Sequence, residues 1–328
     1  MTKMSGESAG IGENADADTG WVSRIADMLR LSGPTKEKFL LARKRGKNLW
    51  TVYKSSKTGM IGLVMLLIVL GMAAFADSIT PYGPFEPTGA PHETPPSPRN
   101  WLGTDLSGWD IFSRVIYGSR VSLMIGLVAT AVSMGLGTLV GLMSGYWGGW
   151  RDEVLMRITD VFLVIPWLVL MIVLAYVLPG GASVTKVVFV IGITGWSSTA
   201  RIVRAQVFSL KERAFVERAR AIGSGDWHIV RRHIFPNVFP LIFANAILTI
   251  ALSILSESTL SYVNLGPRSY EVVTWGNILN DAVQAHAMTL GYYWWIVVPG
   301  LCIVFVVLAF TFIGFALDEI FNPKLRRR

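Results

Sequence analysis

Residues 292–317 read YYWWIVVPGLCIVFVVLAFTFIGFAL and contain no Asp, Glu, Lys, Arg or His. About 20 consecutive apolar residues suffice to cross the roughly 30 Å hydrocarbon core of a bilayer as a helix. Five more blocks of this kind lie upstream, at about 238–255, 184–201, 154–178, 121–143 and 58–78. The block at 154–178 holds Arg157 and Asp160 near its start and Pro166 in its interior, and that at 184–201 holds Gly192 and Gly195. Neighbouring helices can satisfy the backbone groups that Pro and Gly free, so neither excludes a span. The expected fold class is all-α, a polytopic membrane protein with six transmembrane helices. The first block is not a cleavable signal peptide, because more than fifty residues precede it and it is too long.

The composition agrees. Of 328 residues, 52% are hydrophobic and 16% are charged, where soluble domains carry about 25% charge. That balance excludes a disordered chain, a disulfide-stapled secreted domain and an ordinary cytosolic enzyme. The single cysteine, Cys302, lies in an apolar run and reads as inert packing. The net charge of +8 is explained by where the basic residues sit. With six spans and the N-terminus inside, about 25 of the 30 Lys and Arg fall in the N-terminal tail, in 144–153, in 202–237 and in the C-terminal tail. Arg99, Arg114, Arg120, Lys186 and Arg268 remain outside. This is the positive-inside pattern, and it requires no nucleic-acid partner.

The chain accordingly divides into a cytoplasmic tail (1–57), a first transmembrane helix (58–79), an external loop (80–117), a core of five helices (118–318) with a cytoplasmic loop at 206–236, and a basic cytoplasmic tail (319–328). Residues 1–20 read as a disordered tail. Trp21, Val22, Ile25, Met28 and Leu29 share one face of a short amphipathic helix, and the basic stretch 36–57 reads as a juxtamembrane anchor. The external loop carries seven prolines between Pro81 and Pro98 and is expected to be irregular and exposed. His92 and Glu93 begin a zinc-protease pattern, but no histidine follows at the required spacing, and Pro95 and Pro96 would break the helix it needs. His92, His228, His233 and His286 do not cluster at metal-ligand spacing, so no metal site is expected.

The loop between the fourth and fifth spans is the most informative segment. It reads KERAFVERARAIG over 211–223 and SGDWHIVRRHIFPN over 224–237. The first half has good helix formers and ends at Gly223, as a helix stop requires. Ser224 or Asp226 is expected to cap a second short helix, on which Trp227, Val230 and Ile234 share a face while Arg231 and Arg232 point elsewhere. Pro236 stands where the next span begins. Two short helices bent at a glycine would thus present an apolar face outside the lipid. Physical chemistry alone leaves two uses open for that face, a partner's groove or the lipid headgroups.

At this loop the sequence resembles the inner-membrane permease subunits of ABC importers, whose signature is a Glu-Ala-Ala triplet, a following glycine and a hydrophobic–proline ending. Glu217 and Ala219 match the triplet, Gly223 the glycine, and Phe235 with Pro236 the ending. Arg218 replaces the middle alanine and His233 stands in place of isoleucine, departures similar to those of the dipeptide/oligopeptide/nickel permeases and their C-type subunits. Ser224–Gly225–Asp226–Trp227 and Arg232–His233–Ile234–Phe235–Pro236–Asn237 resemble that branch, as do Leu102, Gly103, Thr104 and Asp105 followed by Gly108 and Asp110. Trp109 takes the place of an arginine usual there. Residues 257–266, ESTLSYVNLG, resemble a further family segment in which Asn264 replaces a glycine. Trp275 with Gly276, and the ending Asn322 to Arg326, are also similar.

The resemblance implies a type I ABC importer permease fold in a prokaryotic plasma (inner) membrane, with both termini cytoplasmic. It implies as partners a homologous permease, two cytoplasmic ATPase subunits, an external substrate-binding protein and membrane lipid. The chain has no G-x-x-x-x-G-K-[ST] motif, since Gly46 and Lys47 lack the upstream glycine. It is therefore read as a transport subunit and not an enzyme, binding no cofactor itself, with ATP and Mg used by the partner subunits. Glu217, Ala219, Gly223, Asp226, Trp227, Val230, Arg231 and Ile234 are implied to couple to the ATPases. Charged groups in spans are functional candidates. Asp160 is expected to pair with Arg157 at i and i+3. Glu257 and Ser256 are expected, with Asp160, to line the translocation path or hold its gate. The implied cargo is a peptide, with oligosaccharides and nickel complexes as alternatives. A secondary transporter or channel would instead call for internal repeats or paired broken helices around an ion site. No repeat is evident.

Overall fold

The computed structural model describes residues 50–321. The expectations for residues 1–20, for the segment beginning at Trp21, for most of the basic anchor and for the basic tail from 322 lie outside the described residues. The described chain falls into two units, of which the first contributes only residues 50–55, a helical turn with Trp50 and Tyr53 stacked at 6.0 Å. The second, from Ser56 onward, carries the fold.

Its first helix, α1 (Lys57–Ala74), begins where the Ser56 hydroxyl accepts from the Gly59 amide at 3.2 Å. A short α2 (Ala76–Ile79) follows, then an irregular loop to residue 110. Asp110 caps α3 (Ile111–Trp147), accepting from the Ser113 amide at 2.8 Å. Next come α4 (Gly149–Val164), α5 (Trp167–Val177), α6 (Val184–Lys211) and α7 (Ala214–Ala221). The chain then runs through α8 (Asp226–Ile229), a π turn (Val230–Ile234) and α9 (Phe235–Tyr262), and ends with α10 (Trp275–Gln284), α11 (Ala287–Leu290) and α12 (Tyr293–Phe321). Among the described residues five helical stretches are long and apolar enough to cross a membrane: α1, α3, α6, the run from Asp226 to Tyr262, and α12.

The expected third span is not one helix. It is broken into α4 and α5, bent by 93° at Ile165 and Pro166, and counts as the sixth crossing only if the bent pair is taken together. Proline lacks the amide that would continue the ladder and forces the residue before it out of the α region. Ile165 is accordingly extended, at φ −73° and ψ 129°. The second span also differs from expectation, since α3 starts at Ile111, inside the stretch read as external loop.

The spans pack by close approach of small residues, because lipid offers no hydrophobic drive for helix association. Gly137, Gly141 and Gly145 recur every fourth residue on the face of α3 that meets α6. A Cβ at Gly141 would lie 2.6 Å from the Ala200 carbonyl oxygen and 2.7 Å from Val203 Cβ. Larger residues there would wedge the two helices apart. On α6, Gly192 makes room for Val132 in the same way.

One end of the bundle carries the loop before α3. Its irregularity matches the proline content, but its polar groups are not exposed as expected. Asn100, Thr104, Asp105 and Asp110 are each 2% exposed or less. The Asp105 carboxylate accepts from the amides of Ser107 and Trp109 at 2.8 and 3.0 Å and forms an ion pair with Arg114 on α3. Arg114, 1% exposed, also pairs with Asp281 of α10 at 3.1 Å and donates to the Ser269 carbonyl at 3.1 Å. The loop is thereby held to α3 and α10 by a buried charge network. Trp275, fully buried, adds an indole N–H bond to the Val115 carbonyl at 2.9 Å.

Candidate functional site

The opposite end carries the 212–234 segment. Helix α7 stops in a glycine motif, with the Gly223 amide donating to the Arg220 carbonyl at 3.0 Å and the Ser224 amide to the Ala219 carbonyl at 3.0 Å. Gly223 has φ +84°, the left-handed conformation that costs a side chain most. The second helix is not a separate element. It runs on into α9 through the π turn, in which the Phe235 amide donates to the Val230 carbonyl. Pro236 can make no bond to Arg232, and the widened turn accommodates its ring.

The expected cap and the expected apolar face both need correction. Neither Ser224 nor Asp226 caps the helix; Gly225 holds the N-cap position without a side-chain bond. Asp226 instead accepts from the Tyr146 hydroxyl at 2.7 Å, which ties the segment to the last turn of α3. Trp227 does not share a face with Val230 and Ile234. Val230 and Ile234 are buried, 3% and 0% exposed, in a cluster with Val216, Ala219, Ile229 and Val207 of the same chain. Three residues, Ile229, Val230 and Ile234, each contribute about 2 kcal/mol through burial, which seats the segment on α3, α6 and α9. What remains outside is Trp227, 65% exposed, and Ile222, 83% exposed, flanked by exposed Glu217, Arg220 and Arg231.

The three residues read as path or gate lie apart. Asp160 pairs not with Arg157 but with Arg201 of α6, at 2.5 Å and half exposed. An i, i+3 neighbour is available on one helix, but α6 offers a guanidinium directly opposite. Beside this pair, Arg204 grips Asp152 with two bonds of 2.5 and 2.6 Å, a contact no spacing in the sequence signals. Glu257 is fully buried at the other end, accepting from Ser261 at 2.8 Å and from Ser122 at 3.2 Å. Ser122 in turn accepts from the Trp275 amide, so Glu257 joins α3, α9 and α10. The Ser256 hydroxyl is spent on its own helix, at 2.7 Å from the Leu252 carbonyl.

None of the three lines the cavity found between α3, the α4–α5 bend, α6 and α9. That cavity measures about 430 Å³, and its polar wall includes Ser133, Thr194, Thr199, Asn245, Thr249 and Ser253. These residues went unnoticed in the sequence. Each is a small polar group inside an apolar run, and only the meeting of three helices, α3, α6 and α9, brings them together.

Residues 137–327 match the family described as binding-protein-dependent transport system inner membrane component, and residues 45–96 match the N-terminal TM domain of oligopeptide transport permease C. The chain belongs to the binding-protein-dependent transport permeases. This permease is 34% identical over 289 residues to the oligopeptide transport system permease protein OppC of Bacillus subtilis, covering 87% of this chain and 92% of that one. It is 32% identical over 278 residues to the dipeptide transport system permease protein DppC of the same organism, with 85% of each covered. A third relative is the glutathione transport system permease protein GsiD of Pectobacterium atrosepticum, 31% identical over 286 residues, with 85% and 91% covered. Among solved structures, an inward-facing MetNI methionine ABC transporter superposes with a TM-score of 0.51 at 17% identity, covering 66% of this chain and 98% of that one, a likeness in fold alone. The permease is a multi-pass inner-membrane protein with the ABC importer permease fold.

The departure at Asn264 now has a physical account. Asn264 ends α9 at φ +61°, where the resembling segment carries glycine. The Asn264 amide donates to the Ser261 carbonyl and the Leu265 amide to the Leu260 carbonyl, at 3.0 and 2.8 Å. Asparagine is the side chain that best tolerates this conformation, so the turn survives the replacement.

Proposed function

We propose that the permease is one of two homologous membrane subunits of an ATP-driven peptide importer, receiving its solute from an external substrate-binding protein. The names of its relatives support the cargo class. The distribution of Lys and Arg supports an orientation with both termini and the 212–234 segment in the cytoplasm, and with the 80–110 loop outside. In this reading the chain holds no cofactor or metal, and ATP with Mg²⁺ is used by two partner ATPases.

The observation that carries the proposal is the contrast within the 212–234 segment between a buried apolar row and two bare apolar side chains, Ile222 and Trp227. An exposed indole among arginines fits a groove on a soluble partner. Glu217, Ala219 and Gly223 shape the first helix, Asp226 ties it to α3, Val230 and Ile234 hold it down, and Arg231 flanks the contact. Closure of the ATPases on this surface moves α9 directly, since α8 runs into it, and moves α3 through Tyr146. The solute's different affinity for the inward and outward states then sets the direction of transport. Glu257 and Ser256 act at the outer end as packing for the gate, and Asp160 with Arg201 at the inner end.

The test is co-expression with a homologous permease and the ATPases. The chain should copurify with both, hydrolyse no ATP alone, and support ATP-dependent uptake of labelled peptides into proteoliposomes only in the full complex. Uptake by the isolated chain overturns the proposal.

A further inference from the structure

We infer that the cavity between α3, the α4–α5 bend, α6 and α9 is a solute-contact site that recognises neutral hydrogen-bonding groups, peptide amides above all, and does not read the solute's charge. The peptide part of this inference rests on the cargo proposed above.

The size is suitable, since about 430 Å³ falls within the roughly 300–1,000 Å³ of small-molecule sites. The wall chemistry is more telling. Hydroxyls and one amide line the space from α3, α6 and α9, with Phe162, Pro166 and Trp167 closing the side at the bend. The hydroxyls of Thr194, Thr249 and Ser253 already bond within the protein, and those of Thr194 and Thr249 can offer the solute only a lone pair. Among the described residues, no Asp, Glu, Lys, Arg or His stands in the wall. A solute whose charge had to be recognised would need a counter-charge in this low-dielectric setting. The nearby Asp160 and Arg201 neutralise each other.

One buried polar group in the wall lacks a partner among the described residues. The Ser133 hydroxyl is buried, with Ser133 1% exposed, and has no hydrogen bond among the described residues. Half-buried Asn245 donates through Nδ2 to Thr199 Oγ1 at 3.2 Å and to Met134 Sδ at 3.7 Å, which leaves its carbonyl oxygen for the cavity side. Unpaired polar groups inside a membrane protein are costly, and they persist where water or a ligand completes them. The bend has the same meaning. Pro166 leaves the first amides of α5 without helical acceptors, and broken helices at membrane depth occur where they line a cavity. A wall of this kind accepts the part that all peptides share, and it leaves side-chain selection to the binding protein.

The experiment uses the complete importer in proteoliposomes. Asn245→Cys in a Cys302→Ser background is treated with a water-soluble methanethiosulfonate reagent, because a thiol reacts only where water reaches it. Modification in the nucleotide-free complex, slowed by peptide-loaded binding protein, is expected. A thiol inert in every state overturns the inference, whatever the cargo. Asn245→Leu should lower peptide uptake about tenfold at equal complex assembly, as loss of one amide contact predicts. Asn245→Asp, which adds a charge where none stood, should shift the ratio of cationic to anionic peptide uptake by about tenfold. An unchanged ratio together with normal uptake by Asn245→Leu also overturns the inference. Wild-type uptake of oligosaccharide and not peptide, lost in Asn245→Leu, supports the neutral-group site and refutes the peptide cargo.

Discussion

The two ends of the bundle solve opposite problems. At the 80–110 end, charged groups are buried and paired within the chain, although the Arg114 Nε keeps no bond among the described residues: Arg114 takes Asp105 and Asp281, Asp110 accepts from Asn100 at 2.9 Å, and Glu257 takes three serines. At the 212–234 end, apolar groups are buried first, and two large ones are left out. The first end is finished by its own contacts. The second stays incomplete, and an incomplete apolar surface beyond the lipid is what a partner can use. A lesion at the first end should therefore damage the permease itself, and a lesion at the second should damage assembly.

The largest effect is expected from Asp105→Ala. It leaves Arg114, 1% exposed, with Asp281 at 3.1 Å as its one remaining carboxylate among the described residues, so the loss should approach without reaching the about 3–5 kcal/mol of a fully stranded buried charge. Thermal unfolding of the purified permease should show a loss far beyond that of any substitution at the other end. A wild-type midpoint would break the comparison.

Trp227→Ala comes next and should leave that unfolding midpoint nearly unchanged, since the residue is 65% exposed. Its effect should appear as about thirtyfold weaker attachment of the ATPases, roughly 2 kcal/mol. Normal uptake and normal copurification in this variant would show that the segment rests on headgroups instead. Gly223→Ala should cost about 1–2 kcal/mol through backbone strain alone, because a Cβ there meets no atom of the described residues within 4 Å and the φ is +84°. Proteolytic nicking of the 212–234 segment is the suitable readout. Tyr146→Phe removes the bond to Asp226 and should loosen the same segment by about 1 kcal/mol, lowering uptake per ATP hydrolysed more than it lowers ATPase attachment.

The smallest effect concerns Asp281. Burial pushes its carboxyl above the ordinary range, against the downward pull of the Arg114 charge. The folded permease thus holds this proton to a higher pH than the unfolded chain does. Stability from this group is intact below the ordinary carboxylate range and is lost as pH rises through the raised value. Asp281→Asn should flatten that part of the stability–pH curve and change stability at neutral pH by no more than about 1 kcal/mol, because Asp105 still pairs Arg114. An unaltered slope would remove Asp281 from the finished end's accounting.

Much of this was readable in advance, for reasons that differ from element to element. The spans were legible because a lipid environment demands unbroken apolar length, as in α12, and that demand is local in sequence. The glycine stop at Gly223 was legible because its requirement is also local. The bend at Pro166 was underread, since proline in a span is compatible with either a tolerated kink or a break, and the neighbours decide which. The stripe of Gly137, Gly141 and Gly145 carries an interhelical signal, but its meaning depends on which helix lies opposite.

The sequence by itself determined the class of protein, the approximate spans, the basic bias and the motifs of the permease family, because each depends on residues adjacent in the chain or on simple composition. Only the tertiary structure decided which side chains those elements share. Asp160 met Arg201 rather than Arg157, and Val230 turned inward while Trp227 stayed out. Ser133, Thr199 and Asn245 came to one cavity from three helices. The physical reason is that burial and pairing are properties of the space between helices, and no single helix contains the information that fixes what stands opposite it.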